Sequence, residues 1–205
     1  MKKSEFVYRE VLFQALERKQ RKMTQAQLSE TLGISLSTVN NALTPLKATG
    51  AVQARKMNFV VLNPRKALLH WASNRNLSKD VVYSARVNES VSELEKQMPG
   101  GVVFAAYSAY KARFKSVPAD YGEVWVYADA GGVAELRKRF PEREGAAKGV
   151  ANLFALKKDA LAERYGKMTT LAQTFVDLWN LDSWYAAEFV KAFEAKLASM
   201  PSFSE

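Results

Sequence analysis

The segment "TQAQLSETLGISLSTVNNALTPLKATGAV", residues 24–52, carries the strongest structural signals in the N-terminal part of the chain. Thr24 is followed three residues later by Gln27, which is the spacing of a capping box, and Gly33 is a typical helix stop, so a helix is predicted over residues 25–32. Ser35 is a good N-cap for a further helix that Gly50 ends. The segment therefore predicts two helices joined by a tight turn.

The flanking sequence completes a larger pattern. Residues 4–19 have apolar side chains at helical spacing and end in the basic run "ERKQRK", so another amphipathic helix is predicted there. After residue 50, "AVQARKMNFVVL" contains two short β-prone runs around Arg55 to Asn58, a pattern that predicts a hairpin. The order helix, helix, tight turn, helix, hairpin is the layout of a winged helix-turn-helix.

The pattern changes beyond residue 62. Asn63 as N-cap and Pro64 at the first helical position predict a linker helix over residues 63–76. Residues 77–205 then alternate predicted strands, "DVVYSARV", "GEVWVYAD" and "ANLFALKK", with helical stretches that include "ESVSELEKQM" and "GVAELRKRF". "GGVVFAAYSAYKARF" fits a strand followed by a helix, and "TLAQTFVDLWNL" and "WYAAEFVKAFEAKL" fit two closing helices. We predict an α+β fold: a winged helix-turn-helix domain at 1–62, the linker helix, and an α/β C-terminal domain at 77–205 ending in two helices.

Charge is distributed unevenly along the chain. The formal net charge is +9, and residues 1–76 contain 13 Lys and Arg against 4 Asp and Glu, whereas residues 77–205 contain 17 of each. A basic segment beside a neutral one indicates that the basic part meets a polyanion. The chain has no Cys, which excludes disulfides, thiolate zinc sites and cysteine nucleophiles. The start "MKKSEFVYRE" lacks the apolar run of a signal peptide, and no apolar stretch approaches the roughly 18 residues of a membrane helix, so we expect a cytoplasmic protein.

The helix after Ser35 has two contrasting faces. At about 100° per residue, Ala42, Leu43 and Leu46 lie on one stripe with Val39, and the opposite face is polar but uncharged. Short hydroxyl and amide side chains can approach base edges and phosphates closely. The predicted contacts from the two central helices are Thr24, Gln25, Ser35, Ser37, Thr38, Asn40, Asn41 and Thr44. The cations predicted to contact phosphates are Arg18, Arg21, Lys22 and Lys47, together with Arg55 and Lys56 at the wing tip. Pro45 is predicted to kink this helix near Thr44 or to end it there.

Catalytic chemistry is not indicated. His70 is the only histidine, and phosphate-binding loops, dinucleotide-binding glycine motifs and metalloprotease motifs are absent from the sequence. The best acidic group is Asp120, Glu123 and Asp129, but on a strand Glu123 and Asp129 would lie about 20 Å apart, too far to share a metal ion. We expect no catalytic residues, no metal site and no cofactor. Aromatic residues of the second half, such as Tyr107, are interpreted as core.

Several of these segments together resemble a known family. "TQAQLSETLGISLSTVNNALTPLKATGAV", followed by "YSAYKARF", "PADYGEVWVYAD", "NLFALKKD", "TLAQTFVDLWNL" and "WYAAEFVKAF", is similar to the AbiEi-type antitoxins and related winged helix-turn-helix regulators. The resemblance implies that the winged domain represses its own operon by binding inverted repeats in the promoter. It also implies that the second domain counteracts a nucleotidyltransferase-like toxin of a type IV toxin-antitoxin pair. Ser37, Thr38, Asn40 and Asn41 would then occupy the recognition helix, with Arg55 and Lys56 in the wing.

The sequence thus predicts a sequence-specific DNA-binding transcriptional regulator, a repressor and an antitoxin candidate, and not an enzyme. Double-stranded DNA is the expected partner, with a toxin and a second copy of the chain as further candidates and no membrane. Two alternatives stay open. The second domain could sense a small ligand, with no toxin involved, or the winged domain could target a nucleic-acid-modifying enzyme.

Overall fold

Four helices and a small sheet form within the first 75 residues of the computed structural model, which describes residues 1–141, 150–200 and 203. The helices are α1 (Lys3–Leu16), α2 (Gln25–Leu32), α3 (Leu36–Ala48) and α4 (Pro64–Asn74). The strands are β1 (Lys22–Met23), β2 (Val52–Ala54) and β3 (Phe59–Val61). The predicted helices, the tight turn and the hairpin are confirmed in their predicted order.

Local hydrogen bonds explain where α2 and α3 begin and end. Thr24 Oγ1 accepts from the backbone N–H of Gln27 at 3.1 Å, which closes the predicted capping box. Gly33 (φ 62°) follows α2 and Gly50 (φ 70°) follows α3, both in the left-handed region that glycine adopts without a Cβ clash. Beyond each glycine, the next N–H bonds back to a helix carbonyl five residues earlier, as in a Schellman ending. The turn and both helix ends are therefore determined by local sequence.

The end of α1 differs from the prediction. The helix ends at Leu16, three residues before the predicted end, so the basic run "ERKQRK" lies beyond it. Lys19 has a φ of 57°, which breaks the helical path, and the N–H of Gln20 bonds to the carbonyl of Gln14. The chain then extends as β1, which pairs antiparallel with β3, and β3 also pairs with β2. β1 was not predicted, since two residues carry too little periodicity to mark a strand.

The first compact unit takes in more of the chain than the predicted domain at 1–62. It comprises Met1–Arg75, Thr170–Asn180 and the described residues from Val190 onward. Accordingly it holds α4, predicted as a linker, all of α8 (Leu171–Trp179) and the later part of α9 (Trp184–Ala198). The reason is burial of α4 and α8: Trp71 is fully buried, and Asn180 Nδ2 donates to the carbonyl of Ala72 at 3.1 Å.

The second unit comprises Asn76–Thr169 and Leu181–Phe189 and is built on a four-stranded sheet. Its strands are β4 (Val81–Ala85), β5 (Val103–Phe104), β6 (Val124–Ala128) and β7 (Leu153–Lys157), and its helices are α5 (Val91–Gln97), α6 (Ala106–Phe114) and α7 (Ala130–Arg139). The strand order is β4-β7-β6-β5, with β6 and β7 parallel and the other two pairs antiparallel. The predicted α+β fold class is confirmed.

Two buried groups fill the second unit. Apolar side chains from β4, β6 and β7 pack with Leu94 of α5 and Leu136 of α7, and all are buried. An aromatic group of Tyr107, Tyr110 and Phe189 has ring centroids 5.0 Å apart for both tyrosine–phenylalanine pairs. These aromatic residues are core, as predicted. Among the described helices of both units, none is long and apolar enough to cross a membrane.

Candidate DNA-binding surface

The two faces of α3 are separated as the sequence predicts. The apolar stripe is buried, with Val39, Leu43 and Leu46 at 0% exposure and Ala42 at 3%. The opposite side is exposed and consists of Ser37, Asn40, Asn41, Thr44 and Ala48. The stripe fixes the helix against α1 and α2, and the polar face is left available for a ligand.

Ser35 and Thr38 form the N-terminal cap of α3. Ser35 Oγ accepts from the backbone N–H of Thr38 at 3.1 Å and lies 2.8 Å from Thr38 Oγ1. Thr24 does the same for α2 through its bonds to Gln27, and Gln25 is the half-buried first residue of that helix. These residues lie at the two helix starts, where they set the direction of the chain into each helix.

The two asparagines of α3 differ in their surroundings. Asn40 Oδ1 accepts from Lys47 Nζ at 2.9 Å, two helical turns later. Asn41 is exposed, and its amide makes no hydrogen bond within the described part of the chain. Thr44 Oγ1 donates to the carbonyl of Asn40 at 3.0 Å, so its one hydroxyl proton is already used. Helical periodicity already places Asn41 opposite the apolar stripe and Asn40 on its flank. The structure adds that Asn40 has a side-chain partner, whereas Asn41 has none within the described part of the chain.

Pro45 does not end α3, which contradicts one of the two predicted outcomes. The helix is continuous from Leu36 to Ala48 with Pro45 inside it. Proline has no N–H, so the carbonyl of Asn41 loses its usual helical partner. Full burial of Leu46 holds the last turn in place, and the N–H of Thr49 bonds to the Pro45 carbonyl at 3.1 Å. Tertiary packing therefore outweighs the local preference to stop at Thr44.

The predicted wing has an exposed basic tip. The N–H of Arg55 donates to the carbonyl of Asn58 at 2.7 Å, which closes the turn between β2 and β3. Arg55 and Lys56 are exposed, and Met57 beside them is 78% exposed. On the sheet, Lys22 is exposed and lies opposite Val60 in the register of β1 and β3.

A comparison with protein families gives the decisive observation: residues 9–53 match the model described as winged helix-turn-helix DNA-binding. The N-terminal part of the chain is a winged helix-turn-helix DNA-binding domain. The matched residues run from α1 into β2, so they include both helices of the motif. Comparisons with curated proteins and with solved structures find no match.

The acidic residues of the winged domain are mostly turned inward, which the sequence did not reveal. Of the four in residues 1–75, Glu5 and Glu10 are buried, and half-buried Glu17 accepts from the backbone N–H of Leu171 at 2.7 Å. Glu30 alone among these four is exposed. Arg9 and Arg75 are buried as well, so the exposed charged side chains of residues 1–75 are cations with the single exception of Glu30.

The remaining predicted cations lie beyond α1. Arg18 is exposed, and its guanidinium carbon lies 5.2 Å from the ring centroid of Phe13. Arg21 is half-buried just before β1. The winged domain therefore presents cations from the α1–β1 connection, from the end of α3 and from the wing.

Two predicted non-catalytic groups have structural partners. Asp129 caps α7, because one of its carboxylate oxygens accepts from the Gly132 N–H at 2.9 Å. Lys158 Nζ lies 2.8 Å from the other oxygen. The hydrogen bond from Lys158 is the main cause that lowers the pKa of Asp129. Glu123 accepts from Trp125 Nε1 at 2.8 Å. In the winged domain, His70 Nε2 lies 3.3 Å from the Tyr8 hydroxyl, and burial lowers the pKa of His70.

Proposed function

We propose that this protein is a sequence-specific transcriptional regulator that represses its own operon and has no catalytic activity of its own. The observation that carries the proposal is the exposed, uncharged polar face of α3 within a winged domain whose exposed charged side chains are nearly all cationic. Cations supply affinity for any DNA, and small polar side chains on a recognition helix supply base preference. A protein with both features can distinguish an operator from bulk DNA.

The test is a mobility-shift titration of the full chain on the DNA upstream of its own gene and on random DNA, across a salt series. We expect tighter binding to the upstream DNA, with both affinities falling as salt rises. Equal affinity for the two DNAs at every salt concentration would refute the repressor proposal.

Arg55→Ala tests the basic wing in the same titration. Loss of one phosphate contact should weaken binding to both DNAs and reduce the slope of log K against log salt by about one. The matched control is Lys79→Ala, which removes an exposed cation from the second unit. An equal change in affinity and salt slope for both variants would mean that Arg55 in the wing makes no specific contact with DNA.

We further propose that the C-terminal part of the chain, residues 77–205, acts as the antitoxin of a type IV pair, which rests on the resemblance of segments between residues 107 and 193 to the AbiEi-type proteins. The test is co-expression with the product of the adjacent gene. Rescue of growth by the full chain, and by a variant with a defective wing, would support neutralisation that does not depend on DNA binding. Growth arrest that persists when the full chain or the wing variant is co-expressed would contradict the proposal.

A cleft in the second unit favours a second candidate function, control by a small ligand. It has a volume of about 460 Å³ and is lined by the segment from Met98 to Phe104 together with Glu95, Glu163 and Lys167. Thermal shift of the full chain against a metabolite panel, followed by the mobility-shift titration with each hit, separates this function from the antitoxin role. A hit that changes DNA affinity would support ligand control.

A further inference from the structure

The exposed face of α3 has a centre and a flank that offer different chemistry. At about 100° per residue, the positions opposite buried Val39 carry small side chains: Ser37, Asn41, Thr44 and Ala48. Asn40 and Lys47 lie together on one flank, joined by the 2.9 Å bond from Lys47 Nζ to Asn40 Oδ1. The centre of the face contains no cation.

Asn41 is the one amide at that centre. Recognition of adenine in the major groove needs both halves of an amide, with the oxygen accepting from N6 and the nitrogen donating to N7. Both halves of the Asn41 amide are available, because the described part of the chain gives it no hydrogen-bond partner. Asn40 differs, since its oxygen already accepts from Lys47 and the polar groups that remain on the pair are N–H donors. Such donors at the edge of a helix suit phosphate oxygens.

Thr44 and Ala48 offer methyl groups. The Thr44 hydroxyl donates its proton to the carbonyl of Asn40 at 3.0 Å. The side chain can then offer DNA only its methyl group and the hydroxyl oxygen as an acceptor. Methyl groups on a recognition helix contact the C5 methyl of thymine, whereas guanine is read mainly by the cationic side chains of Arg and Lys. The centre therefore carries the groups that suit an A·T pair and lacks those that suit guanine.

We propose that α3 specifies A·T base pairs at the core of the half-site, with Asn41 paired to adenine and the methyl groups of Thr44 and Ala48 against thymine. Asn40 and Lys47 contact the DNA backbone. This inference rests on the proposed function as a sequence-specific DNA-binding regulator. It separates two adjacent asparagines into one that determines specificity and one that supports affinity.

The test begins with selection of binding sites from a random duplex library by the full-length protein, followed by affinity measurement on the selected site and on its single-base-pair variants. Asn41→Ala should reduce the preference for A·T at one base pair by about tenfold, within the range for loss of a bidentate contact, and leave random-DNA affinity unchanged. Asn40→Ala is the matched control, because it is adjacent, exposed and on the same helix. It should lower affinity for every sequence by one common factor.

A modified base sharpens the assignment. Replacing the adenine at that position by 7-deazaadenine removes the N7 acceptor and should weaken binding of the natural protein by several-fold. The same replacement should have no further effect on Asn41→Ala, since the contact is already lost. Thr44→Ser keeps the hydroxyl and removes the methyl, so it should reduce the difference in affinity between thymine and uracil at the partner position.

The outcomes separate the two proposals. If no sequence is enriched from the library, the proposed function itself fails. If a sequence is enriched but Asn41→Ala relaxes a G·C position, or if Asn40→Ala rather than Asn41→Ala changes base preference, the protein is a specific regulator and this inference is wrong. Enrichment of an A·T position that only Asn41→Ala relaxes supports both.

Discussion

Removal of the Arg75 side chain is expected to destabilise the first unit strongly. Arg75 Nη1 lies 3.4 Å from Glu5 Oε1, and Arg75 Nε lies 3.9 Å from Asp177 Oδ1. The three side chains are 2%, 8% and 0% exposed, respectively. Arg75→Ala would leave two carboxylates buried without this cation. Because the three residues come from α1, the end of α4 and α8, the variant tests whether α8 belongs to this unit.

The expected magnitude follows from burial and distance. Breaking a buried ion pair by removing one partner costs about 3–5 kcal/mol of unfolding free energy. The distances of 3.4 and 3.9 Å exceed those of strong charge-assisted hydrogen bonds, so we expect about 3 kcal/mol. With an m-value of about 2–3 kcal/mol/M, the urea midpoint should fall by about 1–1.5 M.

Urea unfolding followed by tryptophan fluorescence measures this change. Trp71 is a suitable reporter because it is fully buried and its Nε1 donates to Glu5 Oε1 at 3.3 Å. The matched control is Arg65→Ala, whose side chain is 61% exposed and lies 3.6 Å from Glu194, and it should cost less than about 1 kcal/mol. If Arg75→Ala costs no more than this control, Arg75 is not held between buried carboxylates and the assignment of α8 to the first unit is wrong.

Three further variants test local features of the fold. Thr24→Ala removes the capping bond of α2 and should lower the unfolding free energy by about 1 kcal/mol in urea melts; an unchanged midpoint would mean that the cap is dispensable. Gly33→Ala should cost about 1 kcal/mol through its φ of 62°, although no atom lies within 4 Å of the added Cβ, whereas Gly100→Ala, also open but without positive φ, should not. His70→Gln should flatten the pH dependence of the unfolding free energy. Burial lowers the pKa of His70, so below about pH 6.5 the unfolded state binds more protons than the folded state and the natural protein loses stability as the pH falls. Equal pH profiles for the variant and the natural protein would contradict this reasoning.

Local signals in the sequence were sufficient for α2, α3 and the hairpin of the wing. The capping residues Thr24 and Ser35 and the stop glycines Gly33 and Gly50 act within a few residues, so their effects survive in the structure. The apolar stripe on α3 was also predictable, because helical periodicity places residues on a common face whatever they pack against. The end of α1 and the path through Pro45 were less predictable, since each depends on contacts with other elements.

The composition of the first unit could not be predicted in the same way. Periodicity shows that α4 and α8 each bury a face, but it does not show which faces meet. Glu5, Arg75 and Asp177 look like surface residues in the sequence, because charged side chains are rarely buried. Their burial is energetically possible only because the Arg75 cation lies beside both carboxylates, and that proximity is a property of the fold.

The sequence was enough to predict the order of the helices and the wing hairpin, the basic character of the N-terminal part and the residues on the outer face of α3. Each of these depends on short-range periodicity, capping or charge counts. Only the tertiary structure placed α8 in the same unit as the winged domain and turned Glu5 and Glu10 inward. These features depend on distances between residues that local patterns do not relate, and they decide which side chains remain available to DNA.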